Sequence, residues 1–318
     1  MNDFNLDLLS YIYTYSCRED ERSLCQLEMR AIFGRDIETS ILESSIPIDP
    51  SRSPFIKERI DVIFKGTCLE DIALRLKKLQ TVEATFKVVF VKNDDLGQDE
   101  KIGFKKRREI EREIGLQING EVDLLKPELL FAIMKVNEGW IFGKYIKSEA
   151  IWLHHQRKPH QYSTALSTRV ARAIVNIAAP NPNGVKLIDP CCGIGTVLVE
   201  ALSMGMDIVG RDLNRLVIPG ARGNIAHFGF HAEVTLGDIR DVTENYDVAI
   251  IDMPYNLCSV LSKEDQLEML ESARIFAKKV VIITIETIDS IIEKAGLVIV
   301  DRCVAKKGGF TRQIIVCE

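Results

Sequence analysis

The sequence predicts an α/β protein whose C-terminal half is a doubly wound, mainly parallel sheet, preceded by an α+β region. Two patterns carry this expectation. From about residue 184 onward, short apolar runs alternate with helical spacing, as in parallel strands covered on both faces by helices. At the end of the chain two apolar runs follow one another with no helix between them, as in an antiparallel hairpin.

Taken in order, residues 185–189 read as a short buried strand and Thr196–Ser203 as the helix after it, with Gly205 placed to end that helix. Asp207–Asp212, residues 232–236, Tyr246–Asp252 and residues 280–285 read as the next four strands. Residues 297–300 and 313–317 form the closing pair, separated by the turn-forming Gly308-Gly309. Between the second and third strands, helical spacing over 214–228 is interrupted by Pro219-Gly220. The regular helix is expected to begin near Pro219, where a missing N–H costs little.

The N-terminal half mixes elements. Tyr11–Tyr15 is strand-like, residues 19–33 form an amphipathic helix ended by Gly34, and Pro47, Pro50 and Pro54 mark a linker. Strands at 60–65 and 84–92 flank a helix at 69–79; a basic helical stretch at 100–114 precedes strands at Leu129–Val136 and 140–145. A second connecting stretch, 154–160, leads into the C-terminal domain. The expected division is 1–50, 51–150 and 157–318.

No apolar run reaches the roughly 18 residues that span a bilayer, and the start of the chain is acidic and lacks a signal-peptide pattern. The eight cysteines form no CxxC pair, and Cys191 and Cys192 are adjacent; this suits free thiols in a reducing cytoplasm and no metal module. The net charge of −5 argues against a surface wholly given to nucleic acid, although a local basic patch is what binds phosphate.

Four strand-end segments carry the chemistry. Asp189-Pro-Cys-Cys-Gly-Ile-Gly-Thr196 lies between a strand and a helix, where glycines let backbone approach a ligand and the helix N-terminus offers free N–H groups. The third glycine of a dinucleotide fingerprint is replaced by Leu198. Asp212 ends the next strand and can accept bonds from ribose hydroxyls, or serve as a helix cap. In Gly237-Asp238-Ile239, after the third strand, a carboxylate can reach an adenine amino group. Asp252-Met-Pro-Tyr255 ends the fourth. There a carboxylate and a carbonyl accepting the two hydrogens of an exocyclic amine would concentrate its lone pair on nitrogen, and Tyr255 could stack on the base. A Pro-Tyr turn after a buried strand is the plainer alternative.

These segments, DPCCGIGT, VGRDLN, GDIRD and DMPY, resemble in order those of class I Rossmann-like methyltransferases with the amino-methylating (Asp/Asn)-Pro-Pro-(Tyr/Phe) motif. Residues 165–178, 220–229 and 310–316 resemble the tRNA guanosine N2-methyltransferases acting on guanosine 10, and residues 122–127 resemble the end of a THUMP domain, an RNA-binding module, with 11–34 like the ferredoxin-like lead-in before it. The resemblance implies S-adenosylmethionine as cofactor. Asp189, Gly193 and Gly195 would bracket its methionine part, Asp212 the ribose, Asp238 and Ile239 the adenine, while Asp252, Pro254 and Tyr255 would hold the target amine. It also implies an RNA substrate, a tRNA, in the cytoplasm. Met253 departs from the family's proline and is expected to loosen the loop. Adenine N6 methylation and a catalytically degenerate RNA-binding protein are the alternatives. Lys105, Lys106, Arg107 and Arg108 are the expected RNA contacts, although interleaved Glu109, Glu111 and Glu113 also fit a solvated helix face.

Overall fold

The structure is a computed structural model that describes residues 10–79, 81–162, 165–254, 261–307 and 310–318. The chain opens with β1 (Tyr11–Tyr15), α1 (Arg22–Phe33) and β2 (Ile41–Ser44). It divides into two compact units, one of residues 1–16, 37–51 and 55–149, the other of 17–36, 52–54 and 150–318.

The first unit continues with β3 (Ile56–Gly66), α2 (Leu69–Leu76), β4 (Val82–Val91), α3 (Phe104–Gly115), β5 (Gly120–Val122), β6 (Leu129–Val136) and β7 (Gly139–Lys147). Its seven strands form one sheet in the order β2-β1-β3-β7-β6-β4-β5. Strand alternation divides its apolar residues between two faces. Phe131 and Ile133 pack with Phe86 and Phe142 against Ile72, Leu76, Ile110 and Ile114 of α2 and α3. Ala132 and Met134, one residue out of step, pack with Ile12, Ile60 and Ile141 on the other.

The lead-in expected over 1–50 is not a body of its own. β1 is buried along most of its length and bonds to β2 on one side and β3 on the other, so it belongs to the sheet of the following strands. α1 belongs instead to the second unit. β2 and β5 had no strand-like reading because each is short, three to four residues, and polar or glycine-containing.

The second unit adds α4 (Trp152–His155), α5 (Thr168–Ala178), β8 (Lys186–Asp189), α6 (Thr196–Ser203), β9 (Asp207–Asp212), α7 (Ile218–His227), β10 (Val234–Leu236), β11 (Tyr246–Asp252), α8 (Lys263–Phe276), β12 (Ala277–Thr284), α9 (Asp289–Lys294), β13 (Ile299–Lys307) and β14 (Phe310–Cys317). The sheet order is β10-β9-β8-β11-β12-β14-β13. β8 to β12 are parallel, and β14 runs antiparallel to both β12 and β13. This is the expected doubly wound sheet with an antiparallel last strand. α7 begins at Ile218 with Pro219 in its first turn, as the sequence suggested. β13 is longer than expected because its C-terminal half, polar on one face, pairs in register with β14 through Lys307↔Phe310. The turn glycines 308 and 309 lie outside the described residues.

Within this unit a buried polar chain fastens α1. Glu28 is completely buried and accepts bonds from Ser53 Oγ (2.6 Å) and Asn176 Nδ2 (2.6 Å). Burial pushes its carboxyl up to about 7. Arg172 spans to Glu200 Oε2 (2.9 Å), whose other oxygen meets His155 Nδ1 (2.8 Å). Arg30 also holds Asp301 of β13 through two bonds of 3.0 and 2.8 Å.

Candidate active site

The order of the second sheet reverses between β8 and β11, and crevices beyond the carboxyl ends of strands form at such a reversal. A cavity of about 550 Å³ opens there, within the range of small-molecule sites. Asp189, Gly193, Asp212, Asp238, Ile239, Asp252 and Pro254 line it, so seven of the nine residues proposed for cofactor and target converge on one space. Gly195 stands behind the wall: a Cβ there would touch Ala221 of α7 at 3.4 Å. Tyr255 lies outside the described residues. Lys105, Lys106, Arg107 and Arg108 belong to α3 of the first unit.

The loop after β8 turns on two left-handed glycines, Gly193 (φ 51°) and Gly195 (φ 77°), a conformation that side chains other than glycine resist. It is tied to the next strand: the Gly193 N–H donates to Asp212 Oδ2 (2.7 Å), and Asp212 Oδ1 accepts from Asn214 N–H (2.8 Å). Asp212 thus shapes the loop as well as facing the cavity. Asp189, almost wholly buried, accepts from the Cys191 N–H (3.2 Å). Burial, and after it the charges of Asp252 and Asp212, push its carboxyl well above the ordinary range.

Asp238 is held by a residue the sequence reading passed over. Arg240 donates its backbone N–H (2.9 Å) and Nε (3.0 Å) to Oδ1 and its Nη2 (2.7 Å) to Oδ2, and this guanidinium keeps the carboxyl below the usual range. Arg240 reaches on to Glu268 (2.7 Å). Its place two residues after Asp238, in the 3-10 turn that Asp238 caps, was the available signal.

Asp252 closes β11 with a carboxylate oxygen, Oδ1, that is out of solvent and has no hydrogen-bond partner among the described residues. Burial pushes its carboxyl up to about 7, opposed by the charge of Arg312. An orphaned acceptor at a cavity wall fits a ligand that brings a donor. Thr196 Oγ1, at the start of α6, is a second buried and unpartnered atom in the lining.

Met253 itself is anchored, while the loop residues 255–260 that it was expected to loosen lie outside the described residues. Its N–H donates to the Ile283 carbonyl (2.9 Å), which continues the β11–β12 ladder by one rung that a proline could not make. Its side chain is buried among Ile188, Ile239, Met269 and Leu270.

The lining suits a cationic ligand, since Asp189, Asp212, Asp238, Asp252 and Asp265 border the cavity with Arg240 as the one lining cation among the described residues.

The chain is similar in sequence to several known proteins. A tRNA (guanine(10)-N2)-dimethyltransferase of Methanothermobacter thermautotrophicus is 32% identical over 181 residues, 52% of this chain and 54% of that protein. The same-named protein of Pyrococcus abyssi is 26% identical over 166 residues, 48% of this chain and 50% of that one. The chain therefore spans about half the length of the curated relatives it matches. A solved structure, TrmN from Thermus thermophilus, aligns over 97% of this chain and 99% of its own at 16% identity and a TM-score of 0.48. Residues 155–282, which run from α4 into β12 and contain all nine residues proposed for cofactor and target, match the family model UPF0020: RMKL-like, methyltransferase domain.

Proposed function

We propose that the protein transfers a methyl group from S-adenosylmethionine to an exocyclic amino group of RNA, the N2 of a guanine in tRNA. The orphaned Asp252 Oδ1 beside Pro254, at the mouth of the strand-end cavity, is the observation that carries this reading. Bound there, the cofactor would supply an electrophilic methyl group. Asp189 and the 193–195 turn would hold its amino-acid part, Asp212 its ribose, and Asp238 with Ile239 its adenine.

The chain's own residues do the rest. Asp252 accepts one N–H of the target amine and so turns the nitrogen lone pair out of the base ring and toward the methyl group. The carbonyl preceding Pro254 is the second acceptor, and proline fixes its direction. A carboxyl pushed up to about 7 suits a group that takes the amine proton near neutral pH as the N–C bond forms. The proton then leaves to water through the open side of the cavity. Tyr255, by its place in the motif, would stack on the base.

RNA binding by α3 is part of the same reading. Lys106 and Arg108 are paired with Glu109 (3.3 Å) and Glu111 (2.7 Å), while Lys105 has no acidic partner among the described residues and Arg107 lies against the Phe104 ring. Lys105 is therefore the residue of the four most available to phosphates, whereas Arg107 is half-buried. The names of the relatives, tRNA guanine-N2 enzymes, support the substrate. The first unit would be the THUMP-like region that presents RNA, and the cytoplasm its compartment; among the described residues no helix is long and apolar enough to cross a membrane.

The test offers tritiated S-adenosylmethionine with unmodified tRNA, ribosomal RNA, duplex DNA and protein extract as separate acceptors. The reading predicts acid-precipitable counts in tRNA alone, abolished by ribonuclease. Counts in DNA or protein would overturn it.

A further inference from the structure

Residues 220–229 form a family-like segment that the proposed reaction leaves without a part. They make up most of α7, and the buried face of that helix carries Gly220, Ala221 and Asn224. Asn224 is completely buried and uses its whole amide. Its Oδ1 accepts from the His160 backbone N–H (2.9 Å), and its Nδ2 donates to the His160 carbonyl (3.1 Å) and to the carbonyl of Ile194 (2.9 Å). The side chain thus clasps both backbone groups of one residue of the 154–160 connection, as a neighbouring strand would, and with its second hydrogen grips the residue between the two left-handed glycines.

The glycines of α7 make room for this clasp. A Cβ at Gly223 would come within 2.8 Å of His160 Nε2, and one at Gly220 within 3.5 Å of His160 Cβ. Two residues beyond the clasped peptide the chain reaches the cavity: Tyr162, Ala165 and Leu166 line it, and the Ala165 N–H closes back on the Tyr162 carbonyl (3.1 Å). Leu166 is buried, whereas Tyr162 is half exposed. A single amide therefore joins the glycine loop on one side to the approach to another cavity wall on the other. Nothing else described bonds the Ile194 carbonyl to the 160–166 segment.

We infer that Asn224 is a positioning residue that couples the two walls, so that filling the donor site at the glycine loop orders the wall residues Tyr162, Ala165 and Leu166, against which the target base is received. This rests on the donor-site reading above. It gives the enzyme a preferred order, cofactor first and RNA second, because the wall is fixed only once the loop is. Because Asn224 grips only the backbone at residue 160, the imidazole of His160 is dispensable for the coupling.

Hydrogen exchange with and without S-adenosylhomocysteine tests this without turnover. In the wild type the ligand should slow exchange at amides 193–197 and, by at least about fivefold, at Tyr162, Ala165 and Leu166. In Asn224→Ala the slowing at 193–197 should remain while that at 162–166 falls below about twofold. His160→Ala should keep both. Asn224→Asp retains the acceptor for the His160 N–H but loses both donors; it should behave as Asn224→Ala does and serves if that variant does not fold. Undiminished slowing at 162–166 in either Asn224 variant, or its loss in His160→Ala, would overturn the coupling while leaving the donor site intact. No slowing at 193–197 in the wild type would instead overturn the donor-site reading, and the coupling with it.

Discussion

Replacing Asp252 by Asn should make the protein more stable and inactive at once. The carboxyl is pushed up to about 7 from an ordinary 3.8, so above neutrality the ionised group opposes folding. At about 1.4 kcal/mol for each tenfold change, the ceiling on that cost at pH 8 is about 4 kcal/mol. Water in the open cavity reduces it to about 2 kcal/mol. Because the folded value is the higher one, the folded protein binds more protons between about 3.8 and 7, and stability falls as pH rises through that window. Asn keeps the shape and cannot ionise. Urea unfolding followed by Trp152 fluorescence, in a Trp140→Phe background, should show Asp252→Asn about 2 kcal/mol more stable than its parent at pH 8, with the gain shrinking as the pH falls below 7 and gone only below about 3.8. Methyl transfer should fall by about 100-fold or more, the usual cost of losing a preorganised charge. A variant that is less stable than its parent at pH 8, or that shares its pH dependence, would refute the reasoning.

Further outcomes follow from the same geometry. kcat/KM should rise about tenfold per pH unit below about 7 and level off above it, with Asp252→Asn showing no such limb, as measured by initial rates from pH 5.5 to 8.5. Met253→Pro, which restores the family's usual residue, should destabilise by about 1–3 kcal/mol because the Ile283 carbonyl loses its donor, whereas Met253→Leu should cost less than about 1.5 kcal/mol; urea midpoints decide. Gly195→Ala places a side chain in a left-handed turn and against Ala221, so it should cost about 1–2 kcal/mol and weaken S-adenosylhomocysteine binding in calorimetry. Lys105→Ala should weaken tRNA binding and reduce its salt dependence by about one ion, and Lys106→Ala should do less, as filter binding across salt concentrations would show.

The second sheet was legible because each of its strands is a short apolar run bounded by glycine, aspartate or proline, and a parallel strand buried on both faces has no other way to look. The strand-end motifs could be placed for the same reason: a carboxylate at the end of β8, β9 or β11 interrupts an otherwise apolar run. What escaped was whatever depends on partners distant in sequence. The separation of α1 from β1 turns on Glu28 meeting Ser53 and Asn176, and no spacing announces a contact across 148 residues. Met253 read as a defect in the motif because the motif counts side chains, while its structural part is played by a backbone N–H. Asn224 was visible as part of a family-like segment, yet its three backbone partners lie 30 and 64 positions away.

The most direct test of the account is mass spectrometry of nucleosides from unmodified tRNA incubated with S-adenosylmethionine and either the wild type or Asp252→Ala. The account predicts N2-methylated guanosine with the wild type and none with the variant. Methylation at another atom, or N2-methylguanosine formed equally well without the Asp252 carboxylate, would contradict it.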